Sequence, residues 1–84
     1  LHLEKDVEFY ELELKSGARL KSAPHFEGTR EFLTIQKGRM KVISGEETVD
    51  LNKGDSASYR ADVEHRIENA GRGEAVAFLV VSYE

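Results

Sequence analysis

The sequence predicts an all-β domain, an antiparallel sandwich or barrel of seven or eight short strands. Three observations predict it. Apolar and polar residues alternate with period two along most of the chain, the mark of strands with one buried face. Turn chemistry recurs between the alternating segments, at Ser16-Gly17, Lys37-Gly38 and Asn52-Lys53-Gly54. No stretch carries an apolar stripe at helical spacing.

The first strand runs from Val7 to Lys15, with Tyr10, Leu12 and Leu14 facing one way and Glu11, Glu13 and Lys15 the other. Ser16-Gly17 ends it, and Ala18 to Ser22 is a short second strand. Ala23-Pro24 interrupts pairing, since Pro has no N–H to give to a ladder. His25 to Arg30 is a loop. Glu31 to Gln36 and Arg39 to Ser44 flank Lys37-Gly38 as a hairpin, with Glu31, Leu33 and Ile35 on one face. Short strands follow at 47–51, with Val49 and Leu51 on one face, at 56–60 and at 65–68. The segment 75–83, Ala-Val-Ala-Phe-Leu-Val-Val-Ser-Tyr, is the most apolar and β-branched, and reads as a central strand.

Composition narrows the function classes. The 84 residues fit one domain, residues 1–84, and a core this small is marginal alone, so oligomerisation or a further segment is expected. The start at Leu1 suggests a fragment of a longer chain. With no Cys there is neither a disulfide framework nor a thiolate site, which fits a cytoplasmic protein. A net charge of −4 argues against nucleic-acid binding by this segment itself. No apolar run approaches the length of a membrane span.

Two separate junctions carry residues with chemistry. Pro24 to Gly38 supplies His25, Glu27 and Glu31, and Gly54 to Asn69 supplies His65. Two imidazoles with one or two carboxylates form a ligand set for a divalent transition metal or a small polar ligand. Alternation puts Glu31 on the face of Leu33 and Ile35, where a buried carboxylate needs a partner. His65 shares its face with Ile67 by the same count. Asn69 reads as a turn residue, and Gly38 and Gly54 as sharp-turn positions. Tyr59, Phe32, Met40 and Phe78 are candidates for a pocket wall. Arg30 and Arg60 read as solvated surface, and His2 is given no role.

These residues fall in a pattern that resembles the cupin superfamily, small antiparallel jelly-roll barrels with a metal or ligand site inside. The first family motif, G-x5-H-x-H-x3-4-E-x6-G, is matched by Gly17, a longer spacer, then His25-x-Glu27-x3-Glu31-x6-Gly38. The second, G-x5-P-x-G-x2-H-x3-N, is matched by Gly54, His65 and Asn69. Glu27 replaces the second His of the first motif, Arg60 replaces Pro and Asp62 replaces Gly. Within the superfamily, Pro24-His25, Gly28-Thr29-Arg30-Glu31, Gly54-Asp55 and Ala61-Asp62-Val63-Glu64-His65 resemble the C-terminal sensor domain of XRE-type helix-turn-helix transcriptional regulators.

The resemblance implies a small-molecule effector bound inside the barrel by His25, Glu27, Glu31, Tyr59 and His65. It implies a homodimer and contact with DNA only through an N-terminal helix-turn-helix domain outside this sequence. A metal, iron, manganese, nickel or zinc, would be held by His25, Glu31 and His65, with Glu27 as a further ligand. Glu27 in place of His points equally to an altered site with no metal. A stand-alone metal-dependent cupin enzyme of the dioxygenase or isomerase type ranks second, because few further polar groups stand ready to orient a substrate. A metal-free dimerisation module is the third reading.

Overall fold

The computed structural model describes residues 6–83, so His2 lies outside the described residues. Eight strands follow in order: β1 Val7–Leu14, β2 Arg19–Ser22, β3 Arg30–Lys37, β4 Arg39–Ser44, β5 Glu47–Asn52, β6 Ser56–Arg60, β7 His65–Glu68 and β8 Ala75–Ser82. They form two four-stranded sheets, β1-β8-β3-β6 and β2-β7-β4-β5, antiparallel throughout. The two sheets face one another as a small jelly-roll barrel. As expected, the apolar β8 is central, paired on both sides by β1 and β3.

The inward faces follow from alternation. Leu33 and Ile35 of β3, Met40 and Val42 of β4, Ile67 of β7 and Ala77, Leu79 and Val81 of β8 meet in one core. Each large aliphatic side chain fully removed from water there contributes about 1.5–3 kcal/mol. Met40, a candidate for the pocket wall, is packed core. Phe32 and Phe78 are not wall either: they occupy even positions of β3 and β8, which face outward, and are 44% and 48% exposed. Val49 departs from its expected partner. Leu51 is buried, but Val49 is exposed because β5 is an edge strand and its first half flanks an open cleft.

Gly38 makes the β3–β4 hairpin possible. Its φ is +72°, and a Cβ there would lie 2.9 Å from the Glu74 carbonyl oxygen and 3.1 Å from Ala75 Cα. Both obstacles are backbone, so only Gly fits. Asn69, as expected, is structural. It is buried, its Nδ2 donates to the carbonyls of Leu14 and Gly73, and its Oδ1 accepts the Gly71 N–H. One side chain thus ties the end of β1 to the β7–β8 turn.

Candidate functional site

The two sequence junctions meet. The loop after β2 and the loop before β7 are joined by three main-chain or side-chain bonds. His25 N–H donates to the Ala61 carbonyl at 2.8 Å, Ala61 N–H to the Thr29 carbonyl at 2.9 Å, and Gly28 N–H to the Asp62 carboxylate at 3.0 Å. The two departures from the family motif therefore act together: Arg60 Nε donates to Asp62 Oδ1 at 2.9 Å while Asp62 also holds Gly28. Hydrogen bonding from Arg60 and from the Gly28 amide holds the Asp62 carboxyl below the usual carboxylate range, and the same contact raises Arg60. Arg60 and Arg30 are both exposed, and Arg30 is bonded to Ser58 Oγ at 2.9 Å.

At this junction His25, Glu31 and His65 each bring one donor atom, all within 4.8 Å of one another. Glu31 and His65 are buried, while His25 is partly open to solvent. His65 Nε2 is 3.0 Å from Glu31 Oε2, and His25 Nε2 is 3.6 Å from the same oxygen. The rings of His25 and His65 are 5.3 Å apart, centre to centre. Tyr59, directly opposite Glu31 in the β3–β6 register, donates its hydroxyl to Oε1 at 2.7 Å. Burial, followed by the neighbouring Glu31 charge, pushes the Tyr59 phenol well above the ordinary tyrosine range. It therefore stays a donor at every physiological pH.

The hydrogen-bond inventory fixes a proton. His65 Nδ1 lies 2.7 Å from the Val63 carbonyl, which can only accept, so Nδ1 carries hydrogen. A neutral ring would then aim the bare lone pair of Nε2 at a carboxylate oxygen 3.0 Å away. A divalent cation placed between them would accept from both.

The structure places the other expected residue elsewhere. Glu27 is exposed on the turn at 26–28 and is no part of the His25–Glu31–His65 group. The turn is closed by Thr29 N–H to the Phe26 carbonyl at 3.0 Å.

Sequence reasoning missed the mouth of the site. A cavity of about 270 Å³ contains His25 and Glu31 and is walled by Tyr10, Leu12, Leu20 and Tyr83 among others. The Tyr83 ring stands edge-on to His25 at 6.0 Å. Its hydroxyl donates to Glu8, and that contact, largest among its causes, pushes the phenol up to about 12. Glu8 is held below its usual value by Tyr83 and then Tyr10. The alternation that puts Tyr10 beside Leu12 was a legible signal, but the strand register that brings Tyr83 to His25 was not. A larger cleft of about 410 Å³ opens on the opposite flank, between β5 and β6, and contains neither histidine. Size does not decide between them: the smaller one is lined by His25 and Glu31, two of the three convergent groups.

The donor set fits a metal. Two imidazoles and a carboxylate, with neighbouring positions open to a cavity, suit iron, zinc, manganese or nickel. The Val63 carbonyl and the Tyr59 hydroxyl already orient His65 and Glu31 from behind, as outer partners of metal ligands do.

Comparison with known proteins agrees with this architecture. The HTH-type transcriptional regulator SutR of Escherichia coli (strain K12) is 31% identical over 64 residues, 76% of this chain and 36% of that protein. An HTH_3 family transcriptional regulator from Vibrio cholerae superposes with a TM-score of 0.88 at 26% identity, over 94% of this chain and 44% of that one. The cupin domain of an XRE family transcriptional regulator from Enterobacter cloacae superposes with a TM-score of 0.87 at 19% identity, over 94% of this chain and 83% of that one. The chain thus spans less than half the length of the first two. The family model described as "Cupin domain" matches residues 10–82. Matched in sequence over nearly its whole length and in the fold of its two sheets, this chain belongs to the cupin domain family.

Proposed function

We propose that this chain is the ligand-sensing domain of a cytoplasmic transcriptional regulator, with a small polar effector or a divalent metal bound at the barrel mouth. The observation that carries the reading is the convergence of His25, Glu31 and His65, with donor atoms within 4.8 Å of one another, beside a cavity lined by His25 and Glu31 together with Tyr10 and Tyr83. The regulator relatives support the biological setting. DNA would be contacted by a domain outside this sequence, and the domain would act as a homodimer. The effector would act by its differing affinity for two arrangements of the barrel or dimer, since a ligand shifts an equilibrium by no more than that difference.

A metal-dependent enzyme is the second reading, favoured by the same three donor atoms. A bound ion would supply Lewis acidity at open coordination positions. This chain's own part would be to hold the ion with His25, Glu31 and His65 and to keep Glu31 oriented through Tyr59. The apolar wall of Leu12, Leu20, Leu79 and Val81 would limit water at the site. Few polar groups remain there to orient a substrate, which places sensing first.

The test is calorimetric titration with Zn²⁺ and Mn²⁺ alone, run in two buffers of different ionisation enthalpy. The expected result is binding near one ion per chain, with any proton release read from the difference between the buffers. His65→Ala should abolish binding and leave the β-sheet circular dichroism unchanged. A panel of small carboxylates and amines, followed through the His25 and His65 imidazole resonances by NMR, tests the effector arm. Silence toward both ions and panel would overturn the reading.

A further inference from the structure

We infer that the cleft between β5 and β6 is a second ligand site of this domain, one that takes a small organic carboxylate with an apolar body. The inference does not rest on what His25, Glu31 and His65 bind. It starts from how the chain crosses between the sheets. β5 and β6 follow one another in sequence, yet each is the outer strand of a different sheet. Between them Gly54 N–H donates to the Ile35 carbonyl at 2.9 Å, and Ile35 N–H to the Asp55 carbonyl at 3.0 Å. The turn is thereby tied to β3, and β6 runs along β3 instead of pairing back on β5. Asp55 closes the same turn, its Oδ2 accepting the Asn52 N–H at 2.8 Å. The two edges part, and the barrel stays open on this flank as a cavity of about 410 Å³. That volume falls within the range of small-molecule sites.

The wall of the cavity is apolar where alternation turns side chains inward. Val42 of β4 and Tyr59 of β6, both buried, line it together with Ala57 and Val49. Val49 shares the inward face of β5 with the buried Leu51, yet it stays 40% exposed at the open seam. The Tyr59 hydroxyl is committed to Glu31 at 2.7 Å, so its ring is what it offers the cavity. An apolar ligand body placed there would remove Val49 and the Tyr59 ring from water.

The rim supplies the charge that names the ligand. Arg30 donates from Nε and Nη2 to Ser58 Oγ at 3.1 and 2.9 Å, and it forms no ion pair among the described residues. Ser58 accepts both bonds, which leaves its own hydroxyl hydrogen free to donate. Arg60 lies directly opposite Arg30 in the β3–β6 register, and like charges so placed repel. Arg60 is already offset: it is bonded to Asp62 at 2.9 Å, and Glu47, the one acid lining the cleft, adds its charge. Arg30 is the cation of the cleft left without an acid. A carboxylate would take a guanidinium N–H with one oxygen and the Ser58 hydroxyl with the other, a charge-assisted pair of bonds. It would also relieve the repulsion between the two arginines. One unpaired cation matches a single negative charge, which favours a monocarboxylate over a phosphate dianion.

NMR titration of the isotope-labelled protein tests this, with hexanoate and phenylacetate as probes beside neutral hexanamide and phenylacetamide. Each carboxylate should shift the main-chain N–H signals of Arg30, Val49, Ala57 and Ser58 together and saturably, with a Kd of about 1 mM for probes this small. The neutral analogues should bind at least about tenfold more weakly, and Arg30→Gln should cost the carboxylates a similar factor. Val49→Ser, at an exposed edge position, should weaken both probes several-fold, and it reads the apolar wall if Arg30→Gln disturbs the start of β3. No saturable shift through about ten times the expected Kd would overturn the assignment. So would equal binding of the neutral analogues, an affinity indifferent to both Arg30→Gln and Val49→Ser, or shifts confined to His25 and His65.

Discussion

The Tyr59 hydroxyl donates to Oε1 of Glu31 at 2.7 Å, from the position directly opposite it on the neighbouring strand. Glu31 is 3% exposed, so the phenol is one of the few groups able to satisfy that carboxylate. Oε1 is held by Tyr59 and Oε2 faces His65, so the carboxylate is fixed in rotation with one oxygen toward the site. The bond couples a wall residue of the β5–β6 cleft to the metal-competent cluster on the other flank.

Tyr59→Phe should therefore act as a positioning change rather than a packing change. It keeps the ring and leaves Oε1 without a donor, which should cost about 1–3 kcal/mol in urea unfolding at neutral pH. Zn²⁺ affinity should fall about 10–100-fold, the range for lost outer partners of metal ligands. A variant with lower stability and unchanged Zn²⁺ affinity would remove Tyr59 from the site.

The tyrosines give a second readout. Tyr10 and Tyr83 both lie beside the Glu8 carboxylate, which raises each above the ordinary value of 10, Tyr83 to about 12. A phenolate formed there would lose its bond to Glu8 and be repelled by its charge. The Tyr83 contribution to stability is thus present below pH 10 and lost as pH rises through about 12. The Glu8 contribution has the opposite sense, present above the usual carboxylate range and lost as pH falls through its lowered pKa. Glu8 is exposed and Tyr83 only partly buried, so the effect on stability is small and salt-screened. The sharper measurement is absorbance titration of tyrosinate. Glu8→Gln should bring two of the three tyrosines back toward 10 while Tyr59 remains protonated. An unchanged alkaline titration in Glu8→Gln would remove Glu8 as the cause.

Asn69→Ala tests the scaffold rather than the chemistry. It strips three hydrogen bonds from Leu14, Gly71 and Gly73 at a position 1% exposed. A loss of about 2–4 kcal/mol in urea unfolding is expected from main-chain groups left unpaired. Asn69→Asp keeps the Oδ1 acceptor but loses both donations, so it should fall between Asn and Ala only if water replaces a partner. Zn²⁺ binding to folded Asn69→Ala should be unchanged, which separates this residue from the site.

Much of the fold was legible because alternation and turn chemistry are local. Period two in Glu31-Phe32-Leu33-Thr34-Ile35 decided that Glu31 shares the buried face of Leu33 and Ile35. The same count puts Phe32 on the face opposite Leu33 and Ile35, and there it is exposed, as is Phe78 on β8, although their aromatic character made both candidates for a pocket wall. Burial follows the face of the strand, not the residue's hydrophobicity alone. Motif spacing gives the sequence position of Glu27, while the turn at 26–28 leaves it exposed and outside the His25–Glu31–His65 group.

The sequence by itself determined the strands, the central place of β8 and the residue types that carry chemistry. It also placed His25, Glu31 and His65 at junctions between elements. Only the tertiary structure decided that Tyr59 holds Glu31, that Tyr10 and Tyr83 frame the mouth, and that Arg60 and Asp62 replace Pro and Gly as a bridge to Gly28. The reason is physical. Tyr59 and Glu31 are 28 positions apart and Asp62 and Gly28 34, and such contacts exist only once inter-strand register and the facing of the two sheets are set. Local periodicity chooses a side chain's face, and the packing of distant strands chooses its partner.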